Sequence, residues 1–468
     1  MKSKLLLKFT LLLLPGMLHA QVQQMWAVTA GGGTSFEGTI ISMNPDGTGL
    51  SVVYSYSCSA TSGCLPIGNL LQASNGQLYG ACYHGGQYGS CTIDRYDPVT
   101  GTYYDIYDFG INGDLPRSGL IEGPSGKLYG VVSAGGNSNC GVLYSVNLSD
   151  HTYVSEYDFI AGTGKYPWGC PVLKNGKLYG LTSAGGGCAG NGQGVIYSYE
   201  ISSDTYTPLH QFVGADGASP KGSLYEASNG LFYGMTYAGG SDDWGTLFSF
   251  DPSNNTFISL HSFQGPDGIR PEGALVEASN GKLYGLAKYG GTLNAGVLFS
   301  FDPMLNLFEK LYEFTITSGA EPMGNLFQST DGLLYGTASA GGSMNMGVIF
   351  SYDIALNTYN VVLNFNGVNG ASPGGGFIMV NLPVGISHSQ NEIPAIYPNP
   401  ASDQINISLK KKIRCIITLI NVEGEIIFSA ENYSAQSAIS TAHLPKGIYF
   451  IEVMEDNGKI TTQKVVKM

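Results

Sequence analysis

Charge is what this sequence has least of. Charged residues make up 12% of it, about half of what soluble domains carry. Only seven histidines and three tryptophans occur among its 468 residues. No His-Glu-x-x-His and no Cys-x-x-Cys is present, so neither zinc-type sites nor metal-centred catalysis finds support. Apolar runs are short. Phe9 to Leu14 falls well below the roughly 20 residues that a bilayer-spanning helix needs, and nothing later in the chain exceeds it usefully. Positive charge is scarcest of all. Between Gln21 and Gly385 stand 11 basic residues against 27 acidic ones, and the whole chain carries a formal net charge of −13. Nucleic-acid binding needs a basic surface, so that class is excluded. Disorder is excluded too, because it needs high charge and few aromatics, whereas this chain has 30 tyrosines, 20 phenylalanines and 67 glycines. Such a composition fits a turn-dense, all-β protein.

What is present is repetition. A Tyr-Gly step recurs at Tyr79, Tyr129, Tyr179, Tyr233, Tyr284 and Tyr335, at intervals of 50 to 54 residues, and Trp26-Ala27 precedes it in phase. A closing phenylalanine keeps the same step at Phe109, Phe159, Phe212, Phe263, Phe314 and Phe365. Seven copies at such a period are the mark of a propeller-type array. In the copy ending at Phe314 the turn signals predict strands near 274–278, 282–288, 297–301 and 307–314. Asn280-Gly281 suits a tight hairpin and Asp302-Pro303 a turn with preset φ. Four antiparallel strands repeated seven times predict a seven-bladed β-propeller over residues 21–381. The first copy lacks its first strand, and the last overruns into Gly376–Asn381. That overrun should complete the first blade and close the ring, which removes exposed strand edges. The double-glycine loops and the connections after each closing phenylalanine share one face. They vary most between copies, so binding is expected there.

The ends read differently. Residues 1–20 have a lysine-bearing start, an apolar stretch and Leu18-His19-Ala20, the pattern of a secretory signal. Residues 382–394 read as a linker. Residues 395–468 form a separate module with short alternating strands near 404–409, 413–421, 426–429, 447–453 and 461–467, which suggests a small Ig-like β-sandwich.

Two stretches resemble known families. In the terminal module the phrases are Tyr397-Pro398-Asn399-Pro400 with Asp403, Asn421-Val422-Glu423-Gly424, Leu444-Pro445-Lys446-Gly447-Ile448-Tyr449, and Lys464-Val465-Val466-Lys467. These resemble the type A sorting domain of the type IX secretion system of Bacteroidetes. The resemblance implies export to the outer surface of a Gram-negative cell, with the secretion machinery as partner. The repeats resemble the tandem GloVer repeats of secreted bacterial proteins, carried in one copy by Phe263, Gly268, Pro271, Gly273, Leu275, Tyr284, Gly285, Gly290, Gly291, Gly296 and Ser300. Kelch repeats share the size and the double glycine in a different order. The repeat resemblance implies a fold and no activity.

Candidate chemistry is sparse, and neither a catalytic pair, a metal site nor a cofactor is singled out. An exported protein permits disulfides. Cys58 with Cys64, and Cys82 with Cys91, lie close enough in sequence to bridge locally, while Cys140 and Cys188 occupy similar loops and Cys170 competes for either. Cys415 reads as a buried strand residue outside that set. Trp168 and Trp244 break the repeat consensus on the loop-bearing face, and Asp242 and Asp243 adjoin Trp244. Aromatic plates beside carboxylates suit a sugar, whose apolar face a ring covers and whose hydroxyls carboxylates accept. The competing reading is a packed loop aromatic with solvated acids. Arg117, His84 and Arg270 also stand out. The leading expectation is a non-enzymatic binding or scaffold module for an extracellular glycan or protein. The alternatives are a glycan hydrolase or lyase using loop carboxylates, and a purely structural surface protein.

Overall fold

A computed structural model describes residues 21–110, 116–187, 192–383, 395–397, 401, 403–408, 414–421, 426–432, 436–455 and 460–467. The signal-like segment, most of the linker, Cys188 and Pro398–Pro400 lie outside the described residues. Two compact units divide at Val22/Gln23 and Val380/Asn381.

The larger unit is the expected propeller of seven antiparallel sheets. In blade 6 the strands are Val276–Glu277, Leu283–Ala287, Val297–Asp302 and Leu307–Glu313, numbered outward from the axis. Ile378–Pro383 supplies the inner strand of blade 1 beside Gln21–Thr29 and closes the ring. The middle strands are buried on both faces because each sheet packs between two neighbours. That is why Leu283–Ala287 and the start of Val297–Asp302 read as unbroken apolar runs rather than as an alternation.

The Tyr-Gly signature has a packing cause. Gly285 sits directly opposite Phe299, and a Cβ there would lie 2.8 Å from Leu275 Cδ2 and closer still to the Phe299 ring. Gly130, Gly180, Gly234 and Gly336 face Tyr144, Tyr197, Phe248 and Phe350 in the same register. In blade 1, where Ile41 replaces the aromatic, Ala27 replaces the glycine.

The closing phenylalanine belongs to the next blade. Phe314 meets Phe350 edge to face at 5.2 Å, as Phe263 meets Phe299 at 5.3 Å and Phe109 meets Tyr144 at 5.1 Å. Outer strands stack face to face across the same interfaces: Tyr54 on Tyr103, Tyr107 on Tyr153, Tyr157 on Tyr206, His210 on Phe257, His261 on Phe308, and Tyr312 on Tyr359. Each such pair is worth about 0.5–1.5 kcal/mol beyond its buried area. The closing seam between blades 7 and 1 differs: Phe365 packs there with Met25, Ile41 and Met43, flanked by Leu50 and Leu363.

The inner strand of blade 6 is shorter than the sequence suggests, two residues, since it starts only after the chain has passed the axial contact at Gly273. Gly375, Gly68, Ser118, Gly169, Gly222, Gly273 and Gly324 hold equivalent positions in blades 1 to 7, and neighbouring blades touch there. A Cβ at Gly273 would lie 2.9 Å from the Gly324 carbonyl oxygen, and one at Gly324 2.6 Å from that of Gly375. At Gly68 it would lie 2.5 Å from the Ser118 carbonyl carbon; the approaches of Gly169 to Gly222, Gly222 to Gly273 and Gly375 to Gly68 are tighter.

The terminal unit has two sheets, one of Ala395–Tyr397, Gln404–Ser408 and Gln436–Ser440, the other of Ile426–Asn432, Cys415–Asn421, Gly447–Glu455 and Ile460–Lys467. Ile405, Ile407 and Ile439 of the first meet Ile417, Leu419, Ile451 and Val465 of the second in one core. The strands at 395–397 and 436–440 were not expected, since Gln436-Ser437-Ala438-Ile439-Ser440 offers a single large apolar side chain. Cys415 is buried in this core. Tyr397 and Lys464 lie on its strands, and Gly447 opens a strand facing Lys467. Tyr449 donates its hydroxyl to the Pro445 carbonyl.

Adjacent glycines test the axial packing. Gly375→Ala is expected to cost roughly 2 kcal/mol or more, since the obstruction is backbone. Gly374→Ala, with nothing within 4 Å, should stay within about 0.5 kcal/mol of the parent. Urea unfolding of both variants reads the difference, and equal stabilities would contradict the packing.

Candidate functional site: the axial mouth

Every blade brings its chain to the axis through the same three-residue step, a proline, one free residue, then the axial position just described. The prolines are Pro373, Pro66, Pro116, Pro167, Pro220, Pro271 and Pro322, and the free residues are Gly374, Ile67, Arg117, Trp168, Lys221, Glu272 and Met323. The residue before the proline is left-handed in all six described cases: Leu65, Tyr166, Ser219, Arg270, Glu321 and Ser372. That conformation costs a non-glycine residue on the order of 1 kcal/mol. A backbone hydrogen bond to the neighbouring double-glycine loop holds it, donated by the Tyr166 N–H to the Cys140 carbonyl at 2.7 Å and by the Arg270 N–H to the Trp244 carbonyl at 2.9 Å. Ser372 lies in Gly370-Ala371-Ser372-Pro373-Gly374, which has the spacing of a serine-nucleophile elbow. A strand follows it rather than a helix, and Ser372 is simply the left-handed residue of its blade.

The free residues of successive blades touch. Arg117 lies 4.6 Å from the Trp168 ring centroid and 5.2 Å from that of Tyr83. Lys221 Nζ lies 4.8 Å from Trp168 and 3.3 Å from Tyr237. Arg270 reaches Tyr237 from the other side, at 5.1 Å from its centroid and 3.3 Å from its hydroxyl. Glu272 accepts one ammonium on each oxygen, Lys221 and Lys288, both at 3.2 Å. Burial opposes the charge on Lys288, but Glu272 outweighs it and its pKa is raised. A chain of alternating cations and rings, from Tyr83 in blade 2 to Arg270 in blade 6, thus lines the mouth of the axis on the loop-bearing face, with Lys288 joined to it through Glu272.

Of the residues singled out from sequence, Trp168, Arg117 and Arg270 come together here, and His84 is exposed beside Tyr83. Tyr83, Lys221, Tyr237, Glu272 and Lys288 were missed. Aligning the seven steps would have revealed the ring residues, because the free column varies between fixed neighbours.

Trp244, Asp242 and Asp243 sit elsewhere, in the double-glycine loop of blade 5. Asp243 is left-handed and accepts from the Gly239 amide at 2.8 Å. Asn139, Asn294 and Asn345 do the same for Gly135, Gly290 and Gly341, so this aspartate has a loop-closing role shared by the repeat. Asp242 accepts from the Ser241 hydroxyl. Trp244 is 37% exposed, and its ring faces Gly265. No ring or ion contact joins it to Trp168 among the described residues.

Cys58 is bonded to Cys64 across the connection between blades 1 and 2. Glu37 lies near both sulfurs, which the disulfide already occupies. Cys82 and Cys91, which lie close enough in sequence to bridge, are not bonded to each other: Cys82 donates to Asp94 at 2.8 Å and Cys91 to the Tyr83 carbonyl at 3.2 Å. Cys140 donates to the Ser138 carbonyl. Burial pushes the Cys170 thiol up to about 12.

Comparison with known families places the chain. The Gloeobacter/Verrucomicrobia repeat matches residues 15–192 and 187–389. The chain belongs to the Gloeobacter/Verrucomicrobia repeat family. The secretion system C-terminal sorting domain matches residues 395–468. This repeat protein is therefore cargo of the type IX secretion system, secreted or surface-displayed by a Gram-negative Bacteroidetes cell. No helix among the described residues is long and apolar enough to cross a membrane. No curated protein matches the sequence. Among solved structures, the repeat protein is similar to the extracellular domain of a proposed hybrid two-component system from B. thetaiotaomicron, at TM-score 0.52 and 10% identity over 94% of this chain and 69% of that one. A proposed 6-phosphogluconolactonase from Bacteroides uniformis gives 0.53 and 12%, over 77% and 99%. The periplasmic gluconolactonase of Pseudomonas aeruginosa gives 0.51 and 16%, over 77% and 99%. At such identities the likeness shows the fold alone.

Blade 2 of this repeat protein departs from its own pattern in the core. Asp94 takes the place of the third-strand aromatic, opposite Gly80, and is 3% exposed. It accepts from Cys82 and from Thr92, each at 2.8 Å, and Tyr103 also bonds to it. Burial raises its pKa to about 6. Burial, with Asp94 and Asp108 nearby, raises that of Asp105 to about 7. Both values exceed the unfolded value near 3.8, so the folded state binds extra protons between pH 4 and 7. The stability these groups contribute is full below about pH 4 and is lost as pH rises through 6 and 7. Asp94→Asn should therefore gain stability over the parent as pH goes from 5 to 8, by roughly 1.4 kcal/mol. A pH-independent difference between the two melting curves would contradict this.

Proposed function

We propose that this protein is a non-enzymatic binding module on the outer cell surface, and that its extracellular ligand sits at the axial mouth around Trp168. The observation that carries the reading is the run of contacts from Tyr83 through Arg117, Trp168, Lys221 and Tyr237 to Arg270. Five blades contribute to it, and the repeat itself requires none of these side chains, since Ile67, Met323 and Gly374 fill the same step elsewhere. Side chains that a fold does not need, gathered at the mouth of a rigid scaffold, are where recognition resides.

The carboxylates favour binding over hydrolysis. A glycosidase pair needs one acid poised to protonate and one free to attack or to activate water. Glu272 is neutralised by two lysines, and Asp243 is committed to a backbone amide. A glycan or a protein is the ligand this arrangement suits; a purely structural role leaves the five-blade assembly without a purpose.

Trp168→Ala in the mature chain should lower affinity for surface-derived polysaccharide or protein at least tenfold with its melting temperature little changed, while Trp244→Ala leaves binding intact. Binding that ignores Trp168, or that follows Trp244, would overturn the assignment. Biolayer interferometry against extracted surface material makes the measurement.

A further inference from the structure

We infer that the ligand of this mouth is anionic: the terminal acidic sugar of a short uronate-bearing oligosaccharide, read by Arg117, Lys221 and Arg270. The inference rests on the mouth being the binding site.

Charge distribution is the first ground. The propeller segment has 11 basic residues in all, and four of them, Arg117, Lys221, Arg270 and Lys288, converge on this one mouth. Among the described residues, Glu272 and Glu321 are the acids that interact with them there. Four cations against two carboxylates leave a net positive spot in a strongly acidic body, and such a spot focuses the field on small anions.

The second ground is what these cations lack. Neither Arg117 nor Arg270 has a carboxylate partner among the described residues. Arg117 Nε is buried with no hydrogen-bond partner, and among the described residues the only acceptor that the Arg270 guanidinium reaches is the Tyr237 hydroxyl, at 3.3 Å. A guanidinium presents a fixed fork that matches a carboxylate in two parallel bonds. Two such forks held ready against rings, with a lysine between them, form a receptor for carboxylate groups.

The third ground concerns Trp168. Both Arg117 and Lys221 approach its ring, so the indole serves to hold cations in place, and a pyranose cannot simply lie across it. Recognition therefore turns on charge, with the Tyr237 hydroxyl, which accepts from Arg270, still able to donate to the sugar. Size follows from the setting. The mouth is one ring of seven residues in an acidic body that repels a long polyanion running across it, so a chain end enters and the rest points to solvent.

Calorimetry on the mature full-length protein tests this with trigalacturonate, its methyl ester and hexaglutamate. The acid should bind at least tenfold more tightly than the ester, weaken with added salt, and lose about tenfold in each of Arg117→Gln and Arg270→Gln. Equal binding of acid and ester that Trp168→Ala abolishes would overturn the anionic class and leave the mouth as the site. Acid binding indifferent to Trp168→Ala and to both arginine variants would overturn the site itself. Binding of hexaglutamate without trigalacturonate would make the partner an acidic protein, against the inference, and so would the absence of binding by all three.

Discussion

Seven stretches of backbone meet at the axis of this molecule, and at the six that are glycine there is space for a hydrogen and no more. That contact between neighbouring blades, at Gly375, Gly68, Ser118, Gly169, Gly222, Gly273 and Gly324, is the constraint on which the architecture depends. It fixes how near the blades stand, and so which outer rings stack and which closing phenylalanine reaches its neighbour's core. It also interrupts the pairing of the inner strands, which skips from Ile67 to Leu71 in blade 2 and starts only at Val276 in blade 6. Interiors packed to this density transmit any added atom as strain, so the ring of seven closes as a unit.

The same constraint creates the site. Immediately before the axial position each blade has one residue with no packing duty, pinned in place by the proline behind it. In blades 1, 2 and 7 that freedom is filled by Gly374, Ile67 and Met323. In blades 3 to 6 it holds Arg117, Trp168, Lys221 and Glu272, linked edge to edge. The mouth is rigid because the axis is rigid, which lets it hold guanidinium groups in fixed positions at small entropic cost on binding.

Much of this was legible in the sequence. The repeat count, ring closure by the overrun after Phe365 and the terminal module all follow from recurring letters, because Tyr-Gly and the closing phenylalanine serve the same packing job in every copy. The site was only partly legible. Trp168, Arg117 and Arg270 departed from the consensus and were noticed, but Lys221 and Glu272 look ordinary, and their contact spans about fifty residues of chain. Trp244 departed as visibly and sits apart from the mouth contacts, while Asp243 closes its loop as asparagine does in three other blades. Departure from a repeat thus flags freedom from packing, and only geometry shows which free residues meet. Cys82 shows the converse: nearness to Cys91 in sequence suggested a bridge, whereas the missing aromatic at Asp94 gave its thiol another partner.

Hydrogen–deuterium exchange of the mature protein with and without trigalacturonate tests the central claim most directly, since it locates the ligand without altering a residue. Protection confined to peptides covering 116–120, 165–170, 219–223 and 268–273 would place the ligand at the axial mouth, as the account predicts. Protection on the outer strands, or on the Asn-Gly hairpins of the opposite face, would contradict it.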